Sequence, residues 1–413
     1  MMSVEQRLKY VYRVVDHRAG AVQPPLLTVS IHYGVVPRST FTDDLPRAED
    51  LSNYKLCEKG DIVLNRMRAF QGAIGISPIR GIVSPDYMVL RPHGNTEARY
   101  LHHLFRSDWF IGEMSARLRG IGGTENGSVR TPRINPEDLG DIRVDLPSLE
   151  MQRRIADFLD VETSRIDQLR NLQVMLMKRL DEREAAQLDL AIDDLAEKWG
   201  LVPLRRFLQG VDQGSSPQCD AMPAARDEWG VLKVSCLRPG RFFPDENKRL
   251  PKEAKPELAN EVKEGDLLIT RANTPLLVGS TAVVRSTREK LLLSDKIFRV
   301  RLDDRISPDF VATVARGRRI RDLCAAVSNG ASQSMANIRF EEVKEWPLPA
   351  ADPSGQRDLI RRVTQQRATL DALRERIERQ LLLLAERRQA LITAAVTGQF
   401  DVSTASGRGV DAP

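Results

Sequence analysis

Gly120-Ile121-Gly122-Gly123 is the nearest this sequence comes to a glycine-rich cofactor loop, yet it follows a helical run. A dinucleotide or S-adenosylmethionine loop needs the preceding strand to aim the helix N-terminus at the phosphates or carboxylate, so the spacing argues against one. No GxxxxGK[ST] phosphate loop occurs, which argues against ATP hydrolysis by this chain, and there is no Asn-Pro-Pro-aromatic tetrapeptide of the kind that holds a target adenine. Pro244-Asp245-Glu246-Asn247-Lys248 has the letters of a metal-dependent nuclease, but its acids are contiguous rather than on separate strands, as in a solvated turn. His102 and His103 are adjacent on a helix and cannot share one face, so they read as packing or surface residues. Cys57, Cys219, Cys236 and Cys324 are scattered without a CxxC or Cys/His cluster, which supports neither a zinc site nor a disulfide frame. No Ser/His/Asp set can be assembled from spacing. Catalytic and metal residues are therefore not expected in this chain.

Polar loops carry the better signal. RGIGGTENGSVRTPR (119–133) and SNGASQSMANIR (328–339) hold little to bury, and each follows a helical stretch. Upstream of each, a strand ends in an arginine, Arg66 or Arg271. Arg66, Arg68, Gln71, Asn126, Arg130 and Arg133 in the first set are residue types that contact phosphates and base edges. Arg271, Asn273, Thr274, Ser332, Gln333, Ser334 and Asn337 are their counterparts in the second, and solvated loops are the plainer reading of both.

These loops must be positioned by the elements around them, and those elements occur twice. The last long helix has no Gly or Pro between Gln356 and Thr397, and its apolar residues recur at Val363, Leu370, Leu373, Ile377, Leu381, Leu384 and Leu391. Steps of three, four and seven make a helix with one apolar seam. At a shift of 204 residues, Gln152, Arg153, Asp167, Leu169, Arg170 and Leu180 are identical to Gln356, Arg357, Asp371, Leu373, Arg374 and Leu384. Ile155, Leu159 and Ile166 fall on Leu359, Val363 and Leu370. Glu264-Gly265-Asp266-Leu267-Leu268-Ile269-Thr270-Arg271 likewise echoes Lys59-Gly60-Asp61-Ile62-Val63-Leu64-Asn65-Arg66, so the chain is a tandem duplication.

The order is domain, helix, domain, helix. Residues 1–146 and 199–349 read as mixed α/β domains, 147–198 and 350–402 as long helical regions, and 403–413 as a small-residue tail expected to be disordered. The seams predict that the two helices pack on each other through Ile155, Leu159, Ile166, Leu169 and Leu180 against Val363, Leu370, Leu373, Ile377 and Leu384. The most economical arrangement is an antiparallel coiled coil within an α+β fold. The first helix, at roughly 47 residues, would be about 70 Å long.

Composition bounds the function without deciding it. The chain has 413 residues, 41% hydrophobic and 29% charged, and a net charge of +5 with arginine dominating the basic residues. A modest positive excess permits a nucleic-acid partner and equally permits none. No apolar run reaches the ~18 residues of a membrane span, and the N-terminal stretch lacks a hydrophobic signal core, so a cytoplasmic location is expected and membrane association is not.

At the helices the chain resembles the specificity (S) subunits of type I restriction-modification enzymes. LLAERRQALITAAVTGQFDV, including Thr397-Gly398, resembles the family's closing conserved region, and DLPSLEMQRRIADFLDVETSRIDQL resembles its helix opening, with Met151 where the family more often has Glu. The resemblance implies that each globular domain is a target recognition domain reading one half of a split site in double-stranded DNA. It implies that the helices space the half-sites, about 20 base pairs for a helix of that length. It also implies that they dock two methyltransferase (modification) subunits and, with them, restriction/translocase subunits. S-adenosylmethionine, ATP and Mg would then reside in those partners. The residues by themselves leave open two other readings, a coiled-coil scaffold for proteins only and a fused methyltransferase or nuclease.

Overall fold

The computed structural model describes residues 4–22, 24–31, 33–42, 50–118, 132–327 and 336–402. The chain forms two compact units, residues 1–174 with 378–413, and residues 175–377. Each unit combines a globular part with half of each long helix, so neither globular domain is closed by its own stretch of sequence alone.

In the first unit, a four-stranded antiparallel sheet is ordered Tyr12–Val15, Tyr87–Pro92, Ile62–Asn65, Ile74–Ile76. Gly60, at φ +91°, makes the left-handed turn into Ile62–Asn65, a conformation that favours glycine. Ile62, Val63 and Leu64 are fully buried, as expected of a central strand with both faces covered. Two short helices follow, Ala98–Phe105 and Asp108–Ser115. The break falls at Ser107, whose hydroxyl accepts from Phe110 N at 3.2 Å and caps the second helix. Val4–Arg7 pairs with Arg143–Leu146 and delivers the chain to the first long helix, Leu149–Trp199.

The second unit repeats this plan. Its sheet runs Leu208–Gln213, Ile297–Leu302, Leu267–Thr270, Thr281–Val283, the same strand sequence, again antiparallel, with Gly265 at φ +90° where Gly60 stands. The helices Pro308–Val314 and Arg318–Val327 correspond to the first pair, and Leu201–Pro203 pairs with Pro347–Pro349 before the closing helix, Pro353–Val396.

The long helices pack antiparallel within each unit and share the core of the globular part. In the first, Ile155, Leu159, Ile392 and Val396 join Tyr100, Leu104 and Phe110 in one cluster. Phe158 stacks on Phe400 at 5.5 Å, and Asp167 meets Arg388 at 3.3 Å. In the second, Leu188, Ile192, Leu359 and Val363 join Phe310 and Trp346, while Arg374 bridges to Glu184 and Asp181, each at 2.7 Å. Ile166, Leu180, Leu370 and Ile377 are also buried, and Leu384 is half-buried.

Leu169 and Leu373 correct the predicted seam. They are 49% and 43% exposed, although they are twins under the duplication. After Ile166 and Leu370 the seam advances four residues rather than three, so the inward positions go to Arg170 and Arg374, both partly buried. An arginine stem can lie along the seam while its head reaches an acid, which leaves the neighbouring leucine outside. No helix among the described residues is long and apolar enough to cross a membrane.

Candidate nucleic-acid interface

Each strand-end arginine is clamped to the segment that follows its polar loop. In the first unit, the Arg66 carbonyl accepts from Ile134 N at 3.1 Å. Its guanidinium donates back through Nε to Ile134 O at 3.0 Å and through Nη2 to Asn135 Oδ1 at 2.7 Å. The side chain is thus committed to holding the two segments together. Arg68 and Gln71 lie in the tight turns just after it, with Arg68 N on Asn65 O and Gln71 N on Arg68 O, both at 2.9 Å. Arg68, Gln71 and Arg133 are exposed, on the two segments that the clamp joins. Asn126 and Arg130 lie outside the described residues.

The second unit has the same clamp, with Ile338 N donating to the Arg271 carbonyl at 2.9 Å. Here the clamp extends into a short ladder, Ala272–Asn273 against Ala336–Asn337. Arg271 Nη1 donates to Asp295 O at 3.3 Å, and its backbone N donates to Lys296 O at 2.8 Å. Thr274 and Asn337 are exposed. Asn273 is buried at 7%, its Oδ1 accepts from Thr274 N at 2.8 Å, and its Nδ2 has no partner among the described residues. It shapes the turn from inside, whereas its sequence context placed it on the open loop. Ser332, Gln333 and Ser334 lie outside the described residues.

A basic groove beside Arg271 was not legible in the sequence. It encloses about 540 Å³ and is lined by Lys233, Lys248 and Lys296 together with Ser216, Ser235 and Ser294. Lys233 pairs with Glu246 at 2.9 Å, while Lys248 is exposed without an ion pair among the described residues. Ser294 is 4% exposed, and its hydroxyl has no partner among them either. Three ammonium groups with interspersed hydroxyls suit a phosphate backbone. The three lysines stand far apart in sequence, and the parallel pairing of Gly230–Leu232 with Leu291–Leu292 helps to bring their segments together. The only hint in the sequence was the greater number of lysines in the second copy.

The remaining reactive side chains are structural. His103 Nε2 meets Asp160 Oδ1 at 2.7 Å, and burial would raise that carboxyl, but His103 and Arg99 hold it below its ordinary value. Burial pushes Arg106 down to about 10, helped by Arg388. None of the four cysteines forms a disulfide among the described residues, and burial pushes each thiol upward, Cys324 to about 11. Pro244–Lys248 is a turn in which Asn247 is buried and Glu246 binds Ser235 and Lys233, not a carboxylate pair. Among the described residues no group of three His, Cys, Asp or Glu is placed to hold a metal.

Comparison with known proteins converges on one family. Residues 30–174 match the type I restriction modification DNA specificity domain. The specificity subunit of the type I restriction enzyme EcoEI from Escherichia coli is 30% identical over 182 residues, 44% of this chain and 31% of that subunit's length. The EcoKI specificity subunit of Escherichia coli strain K12 is 22% identical over 325 residues, 76% of this chain and 68% of that subunit. The fold is shared with a chain solved in work on complex assembly and conformational transition of the type I R-M system. That chain has a TM-score of 0.67 at 18% identity, with 96% of this chain and 98% of that one covered. It is also shared with the HsdS subunit from Thermoanaerobacter tengcongensis, at a TM-score of 0.50 and 17% identity, with 96% and 97% covered. Residues 30–174 thus resemble the DNA specificity domain of type I restriction-modification systems, and the chain as a whole shares the fold of the HsdS subunit.

Proposed function

We propose that this chain is the DNA sequence-specificity subunit of a type I restriction-modification complex and reads a bipartite target in double-stranded DNA. The observation that carries this reading is the repeated clamp: in each unit a strand-end arginine fixes the segment after a polar loop, leaving polar heads exposed around it. Two similar presentations on diverged loops suit two different half-sites, and the basic groove beside Arg271 suits the backbone of one of them. The chain itself is non-catalytic. Methyltransferase subunits supply S-adenosylmethionine and modify the target adenine, restriction subunits supply ATP- and Mg-dependent translocation and cleavage, and the assembly works in the cytoplasm.

Docking of those partners is supported by apolar side chains that the helices leave in solvent. In the first unit these include Leu172 at 60%, Leu382 at 65% and Leu383 at 62% exposed. In the second, Met175 is 56% and Leu176 is 46% exposed. Such side chains offer apolar contacts to a partner subunit. The lengths of the helices would then set the spacer between half-sites.

The test is to purify the chain with its methyltransferase partner and map methylated adenines on genomic DNA. Methylation confined to one split sequence is expected, and methylation without sequence preference would overturn the reading. Replacing residues 1–146 with another family member's domain should change one half-site and leave the other.

A further inference from the structure

The second unit contains a cavity that the reading of DNA does not use. It encloses about 490 Å³, within the ~300–1,000 Å³ of small-molecule sites. Four guanidinium groups reach it from four separate elements: Arg241 on a hairpin, Arg285 after the strand Thr281–Val283, Arg316 between two helices and Arg367 on the closing helix. The only acid in its lining is Asp309, which Arg285 already occupies. Arg316 is held by Glu184 at 2.7 Å.

Arg241 and Arg367 are different. They share a single carboxylate oxygen of Asp371, at 3.7 and 3.8 Å, too far for hydrogen bonds. The other oxygen of Asp371 is taken by Arg374 at 2.9 Å. Two guanidinium forks therefore line the cavity without donating a hydrogen bond to any acceptor among the described residues, although the Arg367 side chain is only 23% exposed. Burial pushes the Arg367 guanidinium down, Arg316 and Arg241 add to it, and Glu184 and Asp371 offset only part of the effect. The hairpin comes this close only because residue 240 is glycine. At φ +74° a Cβ there would stand 2.8 Å from Arg316 Cδ and 3.5 Å from Arg367 Nη1. Phe242, Phe243, Ile360 and Val363 form an apolar wall beside the arginines.

We propose that this cavity binds a small phosphate monoester carrying a planar or apolar group, of mononucleotide size. Arg241 and Arg367 would take the phosphate oxygens through paired N–H donors, the geometry at which guanidinium excels. Phe243, at 40% exposure, offers a face for the organic part. The site stands apart from the proposed recognition of DNA and does not depend on it.

Isothermal titration calorimetry on the full chain tests this, with adenosine 5′-monophosphate, inorganic phosphate and adenosine as probes. Saturable binding of the monophosphate is expected, with weaker binding of phosphate and none of adenosine. Arg367→Gln and Arg241→Gln should each weaken the monophosphate by about tenfold or more, the effect of removing a charge-assisted pair of donors. Their melting temperatures without ligand and their affinity for target DNA should stay as in the parent. Arg241 lies on an exposed hairpin, so Arg241→Gln remains informative if Arg367→Gln fails to fold. No saturable binding at millimolar monophosphate, unchanged binding in Arg241→Gln, or adenosine binding as tightly as its phosphate would each overturn the proposal.

Discussion

Gln152 holds Glu97. Its side-chain Oε1 accepts from the backbone N–H of Glu97 at 2.9 Å, while its Nε2 donates to Pro147 O at 2.9 Å. The twin residue repeats the bond in the second unit, where Gln356 Oε1 accepts from Ser307 N and Nε2 donates to Ala351 O, each at 2.9 Å. Both glutamines are almost wholly buried, at 1% and 4% exposed. Each thus locks the start of a long helix to the start of the helix pair in its globular part. Removing either leaves buried backbone groups unsatisfied, so Gln152→Ala and Gln356→Ala should each cost about 1–3 kcal/mol. Gln152→Glu should cost at least as much, because an acceptor then faces the Pro147 carbonyl. Urea unfolding reads this directly, and unchanged midpoints would refute it.

Around the first clamp, Arg66 and Arg68 should separate by mechanism. Arg68→Ala and Arg133→Ala should weaken binding of target DNA and lower the salt slope by about 0.9 for each phosphate no longer neutralised. Arg66→Ala should leave that slope alone and instead cost about 1–2 kcal/mol of stability, since its donors are spent on Ile134 and Asn135. Salt titrations of DNA affinity on the three variants distinguish the roles. A slope change confined to Arg66→Ala would reverse the assignment.

On the helices, Leu169→Gln and Leu373→Gln should change stability by less than about 0.5 kcal/mol, as at ordinary surface sites. Ile166→Ala, one helical turn away and 4% exposed, should cost about 2–4 kcal/mol. If the exposed leucines serve partner docking, their variants should fold normally yet capture less methyltransferase subunit in co-purification. Equal destabilisation of Leu169→Gln and Ile166→Ala would return Leu169 to the seam.

His102 gives the first unit an acid sensitivity. Burial, then His103 and Arg106, push its pKa well below the ordinary 6.5, and its Nδ1 is buried without a partner among the described residues. A depressed histidine stays neutral when folded while the unfolded chain takes up a proton. Its contribution is therefore intact above about pH 6.5 and shrinks as pH falls toward the folded value, by at most about 1.4 kcal/mol per pH unit. His102→Leu should consequently lose less stability than the parent between pH 6.5 and 5. Parallel pH profiles for the two proteins would contradict this.

Much of this molecule could be read from local signals. The glycine turns at Gly60 and Gly265, the buried strands after them and the twin glutamines all recur in sequence because each is a short-range requirement. Which letter of Leu169-Arg170 faces inward was not legible, since a one-residue choice depends on how the opposing helix meets it. The basic groove was hidden for a different reason: its lysines are joined by strand pairing over long range, which no periodicity encodes. Asn273 shows the remaining limit, a polar residue in a loop-like context that the ladder with Ala336 draws inside.

The division of the chain into two units has a consequence for the order in which they can form during synthesis. Residues 175–377 are contiguous, so the second unit has every side chain of its core once Ile377 has emerged. The first unit begins earlier but waits, because Ile392, Ala395, Val396 and Val402 complete its core. Until they arrive, Tyr100, Leu104 and Phe110 lack part of their cover, an exposure that invites chaperones or misassembly. The nascent chain thus completes residues 175–377 before the first unit, which is sealed only when residues 392–402 follow.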